Sequence, residues 1–403
     1  MDYKERIERL FSRHRSVQTS GFSSDAYKPG LAGMERLDSL LGHPHTLYPT
    51  VHVAGTNGKG TVCSMIAAAL AAQGLRVGLY TSPHLLDFRE RMKIVTAGGW
   101  SVIPESAVME FLQRWEPECD DLSFFEITTG MAFKWFADSA VDAAVIETGL
   151  GGRLDSTNII TPRVSVITSI GLDHCDLLGS TRPLIAAEKA GIFKPGVPAV
   201  VWGRDGQTQP VFEQIAAAAG SPLFFAEDFS SSDNPNFRTA CAALKVLGRY
   251  ESEEPLLDCA RLTGLRARWE ILLQNPLTIC DIGHNPPALK LNFERLEALR
   301  GTGVRRRPLL VVYGAMADKD VRSIASILPQ DASYYLVVPN TPRAMGLDGL
   351  ALNLKHLPAV RAGSVRDGVR AALREAQTLE DPIIYIGGST YVASEAISYI
   401  ESI

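Results

Sequence analysis

The stretch VHVAGTNGKGT, Val51 to Thr61, decides how this chain folds. Its first four residues form an apolar run preceded by Pro49 and ended by Gly55, as a short buried parallel strand would be. From Thr61 onward Val62, Met65, Ile66, Ala69 and Leu70 recur at helical spacing, and Gly74 stands where a helix cap belongs. The segment therefore reads as strand, glycine loop, helix.

That arrangement aims the first N–H groups of a helix, and the positive end of its dipole, into a loop whose glycines admit an anion close to the main chain. A phosphate suits it: Lys59 would act as a point charge near the β and γ phosphates, and the Thr61 hydroxyl could ligate Mg²⁺. The match to the usual P-loop pattern is inexact, because Gly60 separates Lys59 from Thr61 and the first glycine stands close to Gly58. The alternative is a glycine turn that serves tight packing alone.

Outward from this loop, further strands are expected at 76–80, 143–146, 164–168, 199–202 and 223–225. The first ends in Thr81-Ser82-Pro83-His84. The second runs straight into Glu147, an acid that is costly to bury unless it holds a partner or a cation. The third ends at SIGLDHCDLLG, with His174 just beyond. A parallel sheet would deliver Ser82, Glu147 and His174 to the edge that carries the glycine loop. Hard oxygen donors with one imidazole suit Mg²⁺ or Mn²⁺ held against phosphates. Taken singly, Ser82 also reads as a strand-ending turn, and His174 with its neighbour Cys175 as packing. Lys189, alone on the apolar turn Ile185 to Ile192, reads on composition as a snorkelling surface lysine. Asn236 reads as a helix N-cap unless a ligand claims it.

The chain has 403 residues, long for one core, so two domains are expected. Their bounds are 1–257, a linker at 258–270 where periodicity lapses, and 271–403. The first is a P-loop-type, mostly parallel sheet with helices on both faces; the second is a smaller Rossmann-like α/β domain with strands at 277–280, 309–313, 334–338 and 383–386. Forty Lys and Arg against 45 Asp and Glu leave a net charge of −5, with no basic face for nucleic acid. Arg305-Arg306-Arg307 reads as a solvated turn or a contact for something anionic. Six scattered cysteines without a CxxC pair indicate reduced thiols. The charged start MDYKERIERLFSRHR is no signal peptide, no run is long enough to span a membrane, and a cytoplasmic monomer is expected.

Seven motifs in order, GTNGKGT at 55–61, TSPHL at 81–85, ETGLGGRLDSTN at 147–158, TSIGLDH at 168–174, AAEKAGI at 186–192, ARWE at 267–270 and DIGHNP at 281–286, resemble the folylpolyglutamate synthase/dihydrofolate synthase family of ATP-dependent amide ligases, relatives of the Mur ligases. The resemblance implies that Gly58, Lys59, Gly60 and Thr61 cradle the ATP phosphates, and that Ser82, Glu147 and His174 bind two magnesium ions. It makes Lys189 a carbamylated lysine facing the metal. It places Asn236 at adenine, Arg268 and Asp281 on ATP, and His284 by the acyl phosphate. Ser123, Phe124, Phe125 and Glu126, with Leu154, Asp155 and Ser156, match positions that meet the pterin, and the loop Tyr27 to Gly33 approaches it too. Two departures are Ile282-Gly283, where the family more usually has Gly-Ala, and GGSTYVASE near the carboxyl end, where GSLYLVGE is commoner.

The implied reaction has a folate or dihydropteroate carboxylate attack the γ-phosphoryl of ATP, after which glutamate displaces phosphate from the acyl phosphate. Such chemistry needs positioning and charge neutralisation and no serine or cysteine nucleophile. A Mur-type cell-wall ligase is the enzymatic alternative, although those usually carry a nucleotide-sugar domain ahead of the loop and only 54 residues precede Gly55 here. A catalytically silent nucleotide-binding protein is the other; it would be expected to lack Lys59, Glu147 or His174, and all three are present.

Overall fold

The computed structural model describes residues 2–14, 30–303 and 306–403. The chain divides into two compact units, Met1–Leu265 and Arg266–Ile403, within the stretch where a linker was expected. The short helix Cys259–Thr263 still belongs to the first unit, and the next strand starts at Glu270.

The first unit is built on eight strands: β1 (Thr50–Ala54), β2 (Val77–Tyr80), β3 (Met92–Thr96), β4 (Gly99–Val102), β5 (Ala143–Glu147), β6 (Val164–Ile167), β7 (Ala199–Val201) and β8 (Leu223–Phe225). Their order is β4-β3-β2-β5-β1-β6-β7-β8. All are parallel except the β3–β4 hairpin, which adds antiparallel to β2. Buried residues alternate between the two faces. Val51, Val53 and Val145 join the core around helix Lys59–Ala72, whereas Ala144 and Ile146 join the core around helix Phe124–Asp138 with Phe133 and Phe136. Both faces are thus covered, which is why the central strands read as continuous apolar runs.

The second unit has β9 (Glu270–Gln274), β10 (Leu277–Asp281), β11 (Leu309–Tyr313), β12 (Ser333–Val338), β13 (Ala359–Ser364) and β14 (Ile383–Gly387), in the order β13-β12-β11-β14-β10-β9. Only β9 runs antiparallel. Four strands were expected here and six are found, with β3 and β4 also unforeseen. The reason is physical: β4, β9 and β13 lie at sheet edges, show alternating or mostly exposed residues, and lack the apolar run that marks a strand covered on both faces. The basic cluster is a paired surface turn in its described part: Arg307 bonds Asp381 at 2.8 Å and Arg306 pairs with Glu297. Arg305 lies outside the described residues.

Candidate active site

The helix behind the glycine loop starts at Lys59, two residues earlier than its apolar spacing indicated, with Gly58 as N-cap at φ +87°. It is buried all round from Val62 to Ala71, so its N-terminus can face only the loop. Two glycines are obligatory. At Gly55, φ +150°, a Cβ would come within 1.7 Å of Thr168 Oγ1; at Gly58 it would come within 2.0 Å of Asn236 Oδ1. Asn236 therefore sits against the loop. The expected cap is corrected: Asn234 caps helix Pro235–Val246, accepting from Asn236 N at 3.0 Å, which leaves the Asn236 side chain for the glycine loop.

The strand register explains which side chains meet. Val53 pairs with Glu147 and Ala54 with Ile167, so β1, β5 and β6 end together. Glu147 is 2% exposed and accepts the Ser82 N–H at 3.0 Å. On the other side the loop is zipped to the segment after β6: Thr56 N donates to Ser169 O at 2.8 Å, and Ser169 Oγ to Asn57 O at 3.2 Å. This brings His174 to the loop. Lys59 Nζ donates to Gly55 O at 3.2 Å, and Lys189 Nζ, 4% exposed, donates to the same oxygen at 2.7 Å. Lys189 is no surface lysine. Burial, reinforced by Lys59, lowers its pKa from the ordinary 10.5 to about 7. A small cavity is lined by Thr56, Lys59, Gly149, Asp173, His174 and Lys189. Asp173, in TSIGLDH, lines the cavity too, and its carboxylate accepts the backbone N–H of His174 at 3.0 Å, a contact that no residue pattern announces.

The residues matched to a pterin site are partly engaged with each other. Ser123 and Glu126 form the capping box of helix Phe124–Asp138, with Ser123 N donating to Glu126 Oε2 at 2.7 Å. Glu126 Oε1 is buried with no hydrogen-bond partner among the described residues and lies where a Cβ on Gly33 would sit. Phe124 stacks on Phe11 with ring centroids 4.3 Å apart, and Phe125 packs toward Tyr80. Asp155 is buried and accepts Leu150 N at 2.8 Å and Thr157 N at 3.0 Å, so it holds its own loop closed; burial pushes its carboxyl up. Ser156 is buried beside it and Leu154 half-buried. Of the loop Tyr27 to Gly33, residues 27–29 lie outside the described residues.

In the second unit Arg268 lies between two left-handed residues that are not glycine, Ala267 at φ +52° and Trp269 at φ +56°. Each costs roughly 1–2 kcal/mol relative to the right-handed form. Trp269 N donates to Asp281 Oδ2 at 2.8 Å, while Asp281 Oδ1 accepts Gly283 N at 2.7 Å and Asn292 Nδ2 at 2.6 Å. Asp281 thus shapes the backbone around Arg268 and around His284, whose Nδ1 lies 3.1 Å from Ile282 O.

The donor set suits a hard divalent cation. Among the described residues no three His, Cys, Asp or Glu side chains converge. Instead Ser82 stands beside Glu147, and His174 lines the cavity with Lys189. Mg²⁺ asks for no complete cage of side chains, because it keeps waters and takes phosphate oxygens as ligands.

The family model described as Mur ligase middle domain matches residues 53–231, and that described as Mur ligase, glutamate ligase domain matches 267–389. A dihydrofolate synthase/folylpolyglutamate synthase of Haemophilus influenzae is 31% identical over 423 residues, covering 93% of this chain and 95% of that protein. The Escherichia coli protein of the same description is 32% identical over 392 residues, covering 90% of each. The structure of E. coli FolC in complex with DHPP and ADP matches with a TM-score of 0.86 at 29% identity, over 100% of this chain and 98% of that one. A bifunctional folylpolyglutamate synthase/dihydrofolate synthase with Mn, AMPPNP and L-glutamate bound matches with a TM-score of 0.80 at 29% identity, over 93% and 95%. With its glycine loop, its paired lysines and both ligase domains in sequence, the chain belongs to the dihydrofolate synthase/folylpolyglutamate synthase family of ATP-dependent Mur-type ligases.

Proposed function

We propose that this ligase joins glutamate to the carboxylate of dihydropteroate, or of a folate, at the expense of ATP. The substrate carboxylate oxygen attacks the γ-phosphorus and ADP departs; the glutamate amine then attacks the acyl carbon, loses its proton, and phosphate leaves. Gly58, Gly60 and Thr61 offer backbone N–H groups to the phosphates at the helix N-terminus. Lys59 swings from the Gly55 and Thr56 carbonyls to the transferring phosphoryl. Asn236, held against Gly58, takes adenine. Two magnesium ions, one by Ser82 and Glu147 and one by His174 and Lys189, supply charge neutralisation when bound. Arg268 and Asp281 serve ATP and His284 the acyl phosphate, while residues 123–126 and 154–156 line the pterin side.

Lys189 completes its metal site as a carbamate: the neutral amine adds CO₂ and releases a proton, replacing a repelling cation by oxygen donors. Its pKa of about 7 supports this, because a large neutral fraction exists at physiological pH. Labelling with ¹³CO₂ should give a carbamate resonance that Lys189→Ala lacks; a bare amine in the metal-loaded enzyme would exclude it. The six free cysteines fit a protein working in a reducing compartment such as the cytoplasm.

The observation that carries the reading is the convergence of Lys59 and Lys189 on one carbonyl at the start of a buried helix, with His174 in the same cavity. The experiment is phosphate release from MgATP with glutamate, comparing dihydropteroate with tetrahydrofolate. Release and amide formation with either supports it; none with either refutes it.

A further inference from the structure

Arg268 is presented by a turn that the chain itself resists. Ala267 and Trp269 on either side are left-handed, and neither is the glycine that would adopt that conformation without strain. Something must hold them. Trp269 is held by Asp281, from the end of β10. Ala267 is held from the other side: its N–H donates to Glu270 Oε2 at 2.6 Å, and its carbonyl accepts Ile282 N at 3.1 Å. The second oxygen of Glu270 accepts Arg266 Nε at 2.6 Å, and Arg266 reaches on to Glu401 at 2.8 Å. Arg295 lies over the Trp269 ring, 4.9 Å from its centroid. Each strained residue thus gives its N–H to a carboxylate, so the backbone is held on both sides of Arg268 in sequence.

We propose that Glu270 is a positioning residue for Arg268: its carboxylate, braced by Arg266 and Glu401, holds Ala267 left-handed so that the guanidinium is presented for phosphoryl transfer. The inference rests on Arg268 serving ATP, as proposed above. Asp281 closes the same turn from the opposite side. Without Glu270 the Ala267 backbone relaxes to an ordinary conformation and redirects the residue that follows. Misplacement of a charged group by about an ångström is enough to cost on the order of a hundredfold in rate.

The test is a double-mutant cycle on the full-length enzyme, reading kcat, KM for ATP and the melting temperature. Glu270→Ala should lower kcat/KM for ATP about ten- to a hundredfold with KM for glutamate unchanged. Glu270→Gln, which keeps an oxygen for the Ala267 N–H, should retain most of the activity. Ala267→Gly added to Glu270→Ala should recover part of the loss, because glycine needs no brace at positive φ. Glu270→Ala combined with Arg268→Ala should be no worse than Arg268→Ala alone, since both remove one function. Additive losses, or failure of Glu270→Gln to retain activity in a normally melting protein, would overturn the brace. A silent Arg268→Ala would instead overturn the assignment of Arg268 to ATP, and a loss in Glu270→Ala beside it would show that Glu270 acts elsewhere.

Discussion

Lys189 makes stability depend on pH in a direction that can be measured. Its ammonium titrates at about 7 in the folded protein and at about 10.5 in the unfolded chain, because burial and the neighbouring Lys59 disfavour the charge. Above 10.5 both states are neutral and the lysine adds no difference. Between the two values the unfolded chain holds the extra proton, so stability rises with pH; below 7 both states are charged and the full penalty applies. The limiting slope is about 1.4 kcal/mol per pH unit, so from pH 7.5 to 9.5 this one residue contributes a rise of about 2.5 kcal/mol. Lys189→Met removes the titration at nearly constant volume. The lost bond to Gly55 O changes the offset and leaves the slope to report the proton. Urea unfolding of both proteins across that range, in buffer purged of CO₂ so that no carbamate forms, isolates the effect as the difference between two curves. The wild type should gain about 2.5 kcal/mol more than the variant. Lys59→Ala should narrow the window, because removing the second cation lets the folded pKa of Lys189 climb back. Curves for wild type and Lys189→Met that run parallel would refute the buried, depressed lysine.

Lys59→Ala should leave the fold intact and lower turnover by about a hundredfold or more, as loss of a fixed counter-charge does; steady-state phosphate release near the wild-type rate would sink the phosphate cradle. Gly58→Ala forces an L residue to φ +87° and drives its Cβ into Asn236, so it should cost about 2 kcal/mol and raise KM for ATP. Asn236→Ala in the same chain should return the steric part of that stability and leave the backbone part lost, which calorimetry can separate. Ser123→Ala removes a helix cap and should cost about 1 kcal/mol. If it instead raised KM for the pterin substrate tenfold at unchanged stability, Ser123 would belong to the ligand and not to the helix.

The glycine loop, the covered parallel strands and the order of the motifs were legible in the sequence because their causes are local: an apolar run, a glycine, a helical spacing. The loop's neighbours were not. Gly55 and Lys189 are 134 residues apart and meet only because β1 and β6 lie side by side. Composition alone would have put that lysine at the surface. The edge strands β4, β9 and β13 escaped notice since one open side removes the apolar signature, and Asn234 rather than Asn236 proved to be the cap because only backbone geometry distinguishes two neighbouring asparagines. The left-handed Ala267 and Trp269 carry no glycine to announce them; carboxylates brought from Glu270 and the end of β10 hold them there. What a residue can do is set by its own chemistry and nearest neighbours along the chain. What Lys189 and Asn236 face, and the turn that carries Arg268, were decided by the strand order and by the bonds that the fold closes around them.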